Sequence, residues 1–221
     1  VYKLLHSTKE EHDGAVLCTN SRHCMAFSTA EEAQDCPVRA ACRDTAGQVM
    51  CCGGEVCQTF FFSMCGGYTA DSAHVFASSR AYLVPVCSPE GAGLQGFETK
   101  AEFTKQALAK ALREKGYTVA DEAAEVSLAR DAQGYVLSFS FGELTLGGTA
   151  ARLALGLRSS CFSMEQQGQT LLFTVHGYGH GVGLSQWGAE LYARQGWDYE
   201  KILCHYYQNA ALQPLASALQ S

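Results

Sequence analysis

Between the apolar run Leu171-Leu172-Phe173-Thr174-Val175 and a helix-forming segment stands His176-Gly177-Tyr178-Gly179-His180-Gly181-Val182-Gly183-Leu184-Ser185-Gln186-Trp187-Gly188-Ala189, five glycines in fourteen residues. Glycine there lets the backbone take positive φ or approach another group closely, and Ser185 is placed to cap the helix that follows. The glycines at 177, 179, 181 and 183 alternate singly, whereas a dinucleotide fingerprint needs its third glycine two residues further on. No Gly-Lys-Ser/Thr occurs, which excludes a Walker loop. Two readings stand. The polar groups of His180, Ser185 and Gln186 can hydrogen-bond a polar ligand such as a sugar, or the strip is a structural crossing in which His180 is a satisfied buried histidine.

The rest of the chain reads as hairpins and separated helices, which predicts an α+β class rather than alternating βαβ units. Gln48–Cys52 and Glu55–Phe62 flank Gly53-Gly54, a hairpin signal because such turns need positive φ. Phe60-Phe61-Phe62 reads as a core strand buried on both faces or nearly so. Thr99 to Gly116 reads as a helix, with capping-box spacing between Thr99 and Glu102, an apolar face of Phe103, Ala107, Leu108, Ala111 and Leu112, and Gly116 as its stop. Leu137, Phe139 and Phe141, then Leu144 and Leu146 across Gly142-Glu143, predict a half-buried hairpin. Two further helices are expected, Gln186 to Gln195 closed by Gly196 and Tyr199 to Tyr207 capped by Asp198. Tyr206 and Tyr207 beside His205 read as an aromatic clamp on the core.

A 221-residue chain that is 47% hydrophobic can bury enough surface to fold as one domain or two packed lobes. Its net charge of −6 lacks the footprint of a nucleic-acid binder. No apolar run approaches the roughly 18 residues of a membrane span. Val1 opens the sequence without an initiator Met or a signal-peptide pattern, so a piece of a longer product is expected.

Eight of eleven cysteines fall between 18 and 65, an odd and uneven set that does not fix the redox compartment. His12, Cys18, His23 and Cys24 form His-x5-Cys-x4-His-Cys, a full tetrahedral donor set for Zn²⁺, though not at the spacing of common zinc fingers. The competing reading joins Cys18 to Cys24 and leaves both histidines as loop residues. Cys51 and Cys52 are strand neighbours that point to opposite faces, and most cysteines outside the cluster read as small buried apolar residues.

The block Gly179-His180-Gly181-Val182-Gly183-Leu184-Ser185-Gln186-Trp187-Gly188-Ala189, followed by Ile202-Leu203-Cys204-His205-Tyr206-Tyr207, closely resembles the C-terminal signature of the SpoIID/LytB family. Further blocks match in the same order. Thr45-Ala46-Gly47-Gln48-Val49 is similar to the family's Thr-x-Gly-x-Val strand, and Phe62-Ser63-Met64-Cys65-Gly66-Gly67-Tyr68-Thr69 to its Ser-x-x-Gly-Gly-x-Thr turn, with Tyr82-Leu83 and Val86 after it. Gly156-Leu157-Arg158-Ser159-Ser160-Cys161-Phe162 resembles its Leu-Arg-Ser-x-x-Phe segment. The resemblance covers essentially the whole chain. It implies a SpoIID-like domain over 1–221, or a zinc-containing lobe of about 1–98 and a glycine/histidine lobe of about 99–221, with structural Zn²⁺ on His12, Cys18, His23 and Cys24 as in clostridial members.

The sporulation members are peptidoglycan lytic transglycosylases, so the resemblance implies cleavage of denuded glycan strands between MurNAc and GlcNAc during engulfment. It also implies an extracytoplasmic location through an N-terminal membrane anchor, a cell-wall amidase partner and a membrane protein of the engulfment machinery. Tyr68, Thr69, His180, Ser185 and Gln186 are the candidate groove residues. One element has no counterpart here. The family's catalytic glutamate sits in a Glu-x-Leu-Lys-Ala-Gln-type helix, and neither Glu10-Glu11 nor Glu31-Glu32 has that context. Protonation of a glycosidic oxygen requires a carboxylic acid of raised pKa, so the expected donor lies upstream of Val1 and residues 1–221 are expected to be inactive alone. The alternative is a non-catalytic peptidoglycan-binding protein of the same fold, and a third is a zinc-stabilised interaction domain with no glycan role.

Overall fold

A computed structural model describes residues 2–6, 19, 37–76 and 78–219. The chain divides into two compact units, Val1–Gln58 with Ala210–Ser221, and Thr59–Asn209. The first unit contains α1 (Tyr2–His6), α2 (Pro37–Asp44), β1 (Gln48–Cys52) and β2 (Glu55–Val56). The second runs through β3 (Phe61–Phe62), α3 (Ser72–Val75), β4 (Glu98–Thr104), α4 (Lys105–Glu114), β5 (Val126–Arg130), β6 (Val136–Phe141) and β7 (Leu144–Leu146). It continues with α5 (Gly148–Ala154), β8 (Phe162–Gln167), β9 (Thr170–His176), β10 (Leu184–Ser185), α6 (Gln186–Arg194) and α7 (Tyr199–Tyr206). The chain then returns to the first unit with β11 (Ala211–Pro214) and α8 (Leu215–Ala218). Several small sheets with packed helices make this an α+β protein, as its sequence predicts. Among the described residues no helix is long and apolar enough to cross a membrane.

In the first unit β1 is the centre of an antiparallel sheet ordered β11-β1-β2. Gly53 and Gly54 both have positive φ, which gives the β1–β2 hairpin the turn its sequence predicts. Val49, Met50 and Cys51 are all buried, so this strand reads as a continuous apolar run rather than an alternation.

The second unit is built around an antiparallel sheet ordered β4-β9-β8 and another ordered β5-β6-β7. Leu108 and Leu112 of α4, Phe139 and Phe141 of β6, Ala151 of α5 and Leu171, Phe173 and Val175 of β9 share one core with Phe162. Each such Leu or Phe removed from water contributes about 1.5–3 kcal/mol.

The helix expected from Thr99 starts later. Glu98–Thr104 is a strand paired with β9 over its whole length, from Glu98 opposite His176 to Thr104 opposite Thr170. Thr99, Ala101 and Phe103 are its half-buried positions, a period of two that the sheet exploits and that overrides the capping-box spacing. Thr104 is the true cap, its Oγ1 accepting from Ala107 N at 3.1 Å. The buried face of α4 is Leu108, Ala109 and Leu112, with Ala107 outside, and Gly116 (φ +86°) follows its end as expected.

Two other expectations are corrected. Leu137 is exposed, because the β5–β6 register shifts at Ala129/Arg130 and the bulge turns this residue out of the alternation. Phe62 is buried but Phe61 is exposed, since β3 has a single parallel neighbour, β10, and presents its other face outward. Of the cysteines in the described residues, Cys51, Cys57, Cys65 and Cys161 are buried, Cys52 and Cys204 are intermediate, and Cys42 and Cys87 are exposed.

Candidate functional site

The glycine–histidine strip is held almost entirely by backbone hydrogen bonds within the second unit. Tyr178 and Met64 exchange both of theirs, at 2.7 and 3.0 Å, and Gly179 N donates to Arg158 O at 2.9 Å. Ala70 N donates to Gly181 O at 2.7 Å, Leu184 N to Phe60 O at 3.0 Å, and Trp187 N to Ser63 O at 3.1 Å. The strip therefore threads between the Phe60–Ala70 turn and the Arg158–Cys161 segment. Gly181 (φ +82°) shows why glycine is needed, because a Cβ there would come within 2.5 Å of Tyr135 Cε1. Tyr135 is itself buried and donates its hydroxyl to Tyr68 O at 2.9 Å, which fixes the turn that carries Tyr68.

The candidate residues separate by accessibility. Tyr68 is 50% exposed, and Gln186, at the first position of α6, is also exposed. Thr69 is buried. Its Oγ1 accepts from Val86 N at 2.9 Å and contacts Val84 O at 3.4 Å, which ties the Gly66-Gly67 turn to the segment after Leu83. His180 sits among the rings of Phe60, Phe62 and Phe76 at centroid distances of 5.6–6.3 Å. Its Nδ1 accepts from Val182 N at 3.1 Å, so the ring proton is on Nε2, which donates to Phe61 O at 3.1 Å. Burial pushes the His180 pKa down, the Phe61 carbonyl opposes that, and the Arg152 charge adds to it. With both nitrogens committed to backbone, His180 shapes the strip and has no free polar atom to offer a ligand.

Ser185 is fully buried. As the cap of α6 it accepts from Gly188 N at 3.4 Å, and its hydroxyl donates to Glu90 Oε1. Glu90 had no signal in the sequence. It is 6% exposed, its Oε1 also accepts from Cys65 N at 3.0 Å, and no partner is present for Oε2 among the described residues. Beside it Ser88 Oγ and Tyr206 Oη are 2.5 Å apart, and burial drives the Tyr206 phenol well up. Gly188 packs against this group so tightly that a Cβ would collide with Tyr206 Oη and Ser88 Oγ and lie 2.8 Å from Glu90 Oε2. Tyr206 and Tyr207 are buried, as the expected clamp requires, and Tyr207 Oη donates to Phe60 O at 2.8 Å.

Three residues missed as candidates lie inside quoted motifs. Tyr178 (46% exposed) and Trp187 (43%) are anchored through their backbones to the consecutive residues Met64 and Ser63. The Arg158 guanidinium lies over the Tyr178 ring at 4.4 Å. The strip thus offers two outward aromatic surfaces, one guanidinium and the Gln186 amide on a backbone that is rigidly bonded from behind. Such a set can hold a polar, ring-bearing ligand. The expected zinc ligands His12, Cys18, His23 and Cys24 lie outside the described residues, and within the described residues no three His, Cys, Asp or Glu side chains form a metal-holding group.

No protein-family model matches the chain. It is 28% identical over 187 residues, 84% of its length and 54% of the relative's, to "Stage II sporulation protein D" of Bacillus subtilis. It is 30% identical over 176 residues to the protein of the same name in Bacillus amyloliquefaciens, covering 79% of this chain and 50% of the relative. An uncharacterized protein of Brachyspira hyodysenteriae is 27% identical over 164 residues, covering 70% of this chain and 42% of that protein. The chain spans about half the length of the curated relatives it matches. With the Phe62–Thr69, Gly156–Phe162 and Gly179–Ala189 blocks bonded together and two relatives of the same name matching about four-fifths of the sequence, the chain belongs to the sporulation-related SpoIID family.

Proposed function

We propose that this chain binds the bare glycan strands of peptidoglycan, as part of a SpoIID-type lytic transglycosylase that cleaves between MurNAc and GlcNAc during sporulation and engulfment. The observation that carries this is the pairing of exposed Tyr178 and Trp187, with Gln186 between the strip and α6, on backbone tied to Ser63 and Met64. Aromatic faces take the apolar C–H side of a sugar ring, and a fixed amide takes its hydroxyl and acetamido groups. Tyr68 extends the accessible set, whereas Thr69, His180 and Ser185 support it from behind.

The proton donor that cleavage needs belongs, by the resemblance, to a helix motif with no counterpart in residues 1–221. Glu90 does not replace it, because it is enclosed by Cys65, Ser185 and Gly188 and reaches no open surface. The 221-residue chain is therefore expected to retain strands without cutting them. In this proposal Zn²⁺ on His12, Cys18, His23 and Cys24 orders the N-terminal segment, the protein works outside the cytoplasmic membrane in the cell envelope, and an amidase supplies strands freed of peptides.

Co-sedimentation with denuded strands tests the binding. Retention that falls at least fivefold in Tyr178→Ala and Trp187→Ala, with no anhydro-muropeptide released, is the expected result. Wild-type protein left in the supernatant, or retention of both variants equal to that of wild type, refutes it. Elemental analysis should find one zinc per chain, and its absence together with a Cys18–Cys24 disulfide in a peptide map overturns the metal assignment.

A further inference from the structure

Arg152 and Arg158 lie together beside Tyr178 in a chain with 22 acidic and 16 basic side chains. Within the described residues neither has a carboxylate within 4.0 Å, whereas Arg113 and Arg194 are paired with Glu122 and Glu190. Arg152 lies on α5 and donates from Nε to the Arg158 carbonyl at 3.1 Å, so its guanidinium is tied to the backbone from which the Arg158 side chain leaves. The same carbonyl accepts from Gly179 N, which locks the glycine–histidine strip to the pair. The Arg158 guanidinium covers one face of Tyr178 and, among the described residues, makes one long hydrogen bond, 3.4 Å, from Nη1 to Gly96 O. Arg152 is half-buried and lies near Tyr178, and its charge is close enough to His180 to help push that ring's pKa down. Burial lowers the Arg152 pKa, the direction expected of a cation that has lost water without gaining an anion.

Two partly desolvated guanidinium groups joined through the Arg158 backbone, with no counter-ion among the described residues, are matched to an anion that arrives with a ligand. Guanidinium forks bind carboxylates through paired N–H donors, and the pair is stronger where water is partly excluded. Their position against Tyr178 puts that anion next to a sugar stacked on the ring's free face. We infer that Arg152 and Arg158 read the free lactyl carboxylate of a muramyl sugar, so that this surface distinguishes a bare strand from one still carrying its peptides. The discrimination follows from elementary chemistry. Attachment of a peptide converts the carboxylate to an amide, which removes the charge and one acceptor oxygen. This inference rests on the glycan-binding proposal and adds to it the group that is recognised.

The test uses the 221-residue chain and three probes: denuded strands freed of wall-polymer phosphate, the same strands with their carboxylates amidated by methylamine, and neutral tetra-N-acetylchitotetraose. Binding to the bare strand should exceed that to the amidated strand by about tenfold or more, the scale of a charge-assisted pair, and should weaken as salt rises. Arg158→Gln and Arg152→Gln should each lose most of that margin, so that bare and amidated strands bind each variant almost alike. Unchanged thermal unfolding of the variants separates this from misfolding, and the amidated probe needs no variant at all. Equal binding of bare and amidated strands by the wild-type protein overturns the inference and leaves glycan binding intact. Binding that appears only when wall-polymer phosphate is retained assigns the pair to phosphate instead and also overturns it. Failure to bind any of the three probes refutes the glycan-binding proposal itself.

Discussion

Glu90→Ala should destabilise the second unit heavily, whereas Glu90→Gln should be nearly neutral. Oε1 of Glu90 accepts from the Ser185 hydroxyl and from Cys65 N, and both donors belong to residues with no exposed surface. Truncation leaves both without a partner where water cannot replace it, at about 1–3 kcal/mol for each orphaned group. Loss of the side-chain volume beside Gly188 adds a cavity term, so a total of about 3–6 kcal/mol is expected against a typical domain stability of about 5–15 kcal/mol. Glutamine keeps an acceptor at Oε1 and puts an amide donor where Oε2 now lacks one, close to Ser88 Oγ and Tyr206 Oη, so a change within about 1 kcal/mol is expected. Urea unfolding followed by tryptophan fluorescence reads this directly, because the protein's two tryptophans, Trp187 and Trp197, both lie in the second unit at either end of α6. The midpoint should fall sharply for Ala and little for Gln at constant slope. Equal losses in the two variants would mean that shape or charge, rather than acceptance at Oε1, is what the site needs, and would refute the reasoning.

Gly181→Ala combines a positive φ with a Cβ 2.5 Å from the Tyr135 ring, so a loss of about 2–4 kcal/mol is expected in the same unfolding assay, and a loss under 1 kcal/mol contradicts the packing described. The His180 pKa is lowered on folding, so as pH falls below the unfolded value of about 6.5 the unfolded chain takes up the proton first and stability drops. Above pH 7 both states hold it neutral and the penalty vanishes. His180→Asn should flatten the decline in urea midpoint between pH 7.5 and 5.5, and parallel declines would remove His180 as its source. Among the described cysteines, exposed Cys42 and Cys87 should react first with a maleimide. Burial pushes the Cys57 thiol to about 11, with Cys52 and Cys51 adding to it, and the Cys161 thiol to about 11, with Asp131 adding to it. Both should stay unlabelled at pH 8 until the chain unfolds, as peptide mapping would reveal.

What the sequence makes legible is what is local. Gly53-Gly54 flanked by apolar runs gives the β1–β2 hairpin, Gly116 and Gly196 both take the left-handed φ expected after a helix, and Asp198 caps α7 with a 2.8 Å bond from Lys201 N. Each of these depends on groups within about four residues of one another. The errors arise where a distant partner decides. Thr99 and Glu102 have the spacing of a helix start, but β9 lies alongside and claims the segment as a strand. Leu137 fits an alternation that a bulge in the β5–β6 pairing shifts by one place.

Ser185 shows why the site was harder still to read than the fold. Its role as a cap is visible from sequence because Gly188 is three residues away. The same hydroxyl also donates to Glu90, 95 residues distant, and no local pattern marks Ser88-Pro89-Glu90 as its counterpart. A residue that satisfies a local rule gives no sign that it also serves a long-range one. Read from sequence, His180, Ser185 and Thr69 therefore look like groups offered to a ligand. In the fold their polar atoms are spent on Phe61, Val182, Glu90 and Val86. The accessible chemistry passes instead to neighbours, Tyr178, Trp187 and Arg158, whose exposure is set by which side of the strip the backbone bonds occupy. In a strip this rich in glycine the backbone itself is the scaffold, so His180 and Ser185, whose side chains bond inward, are enclosed while Tyr178 and Trp187 stay exposed.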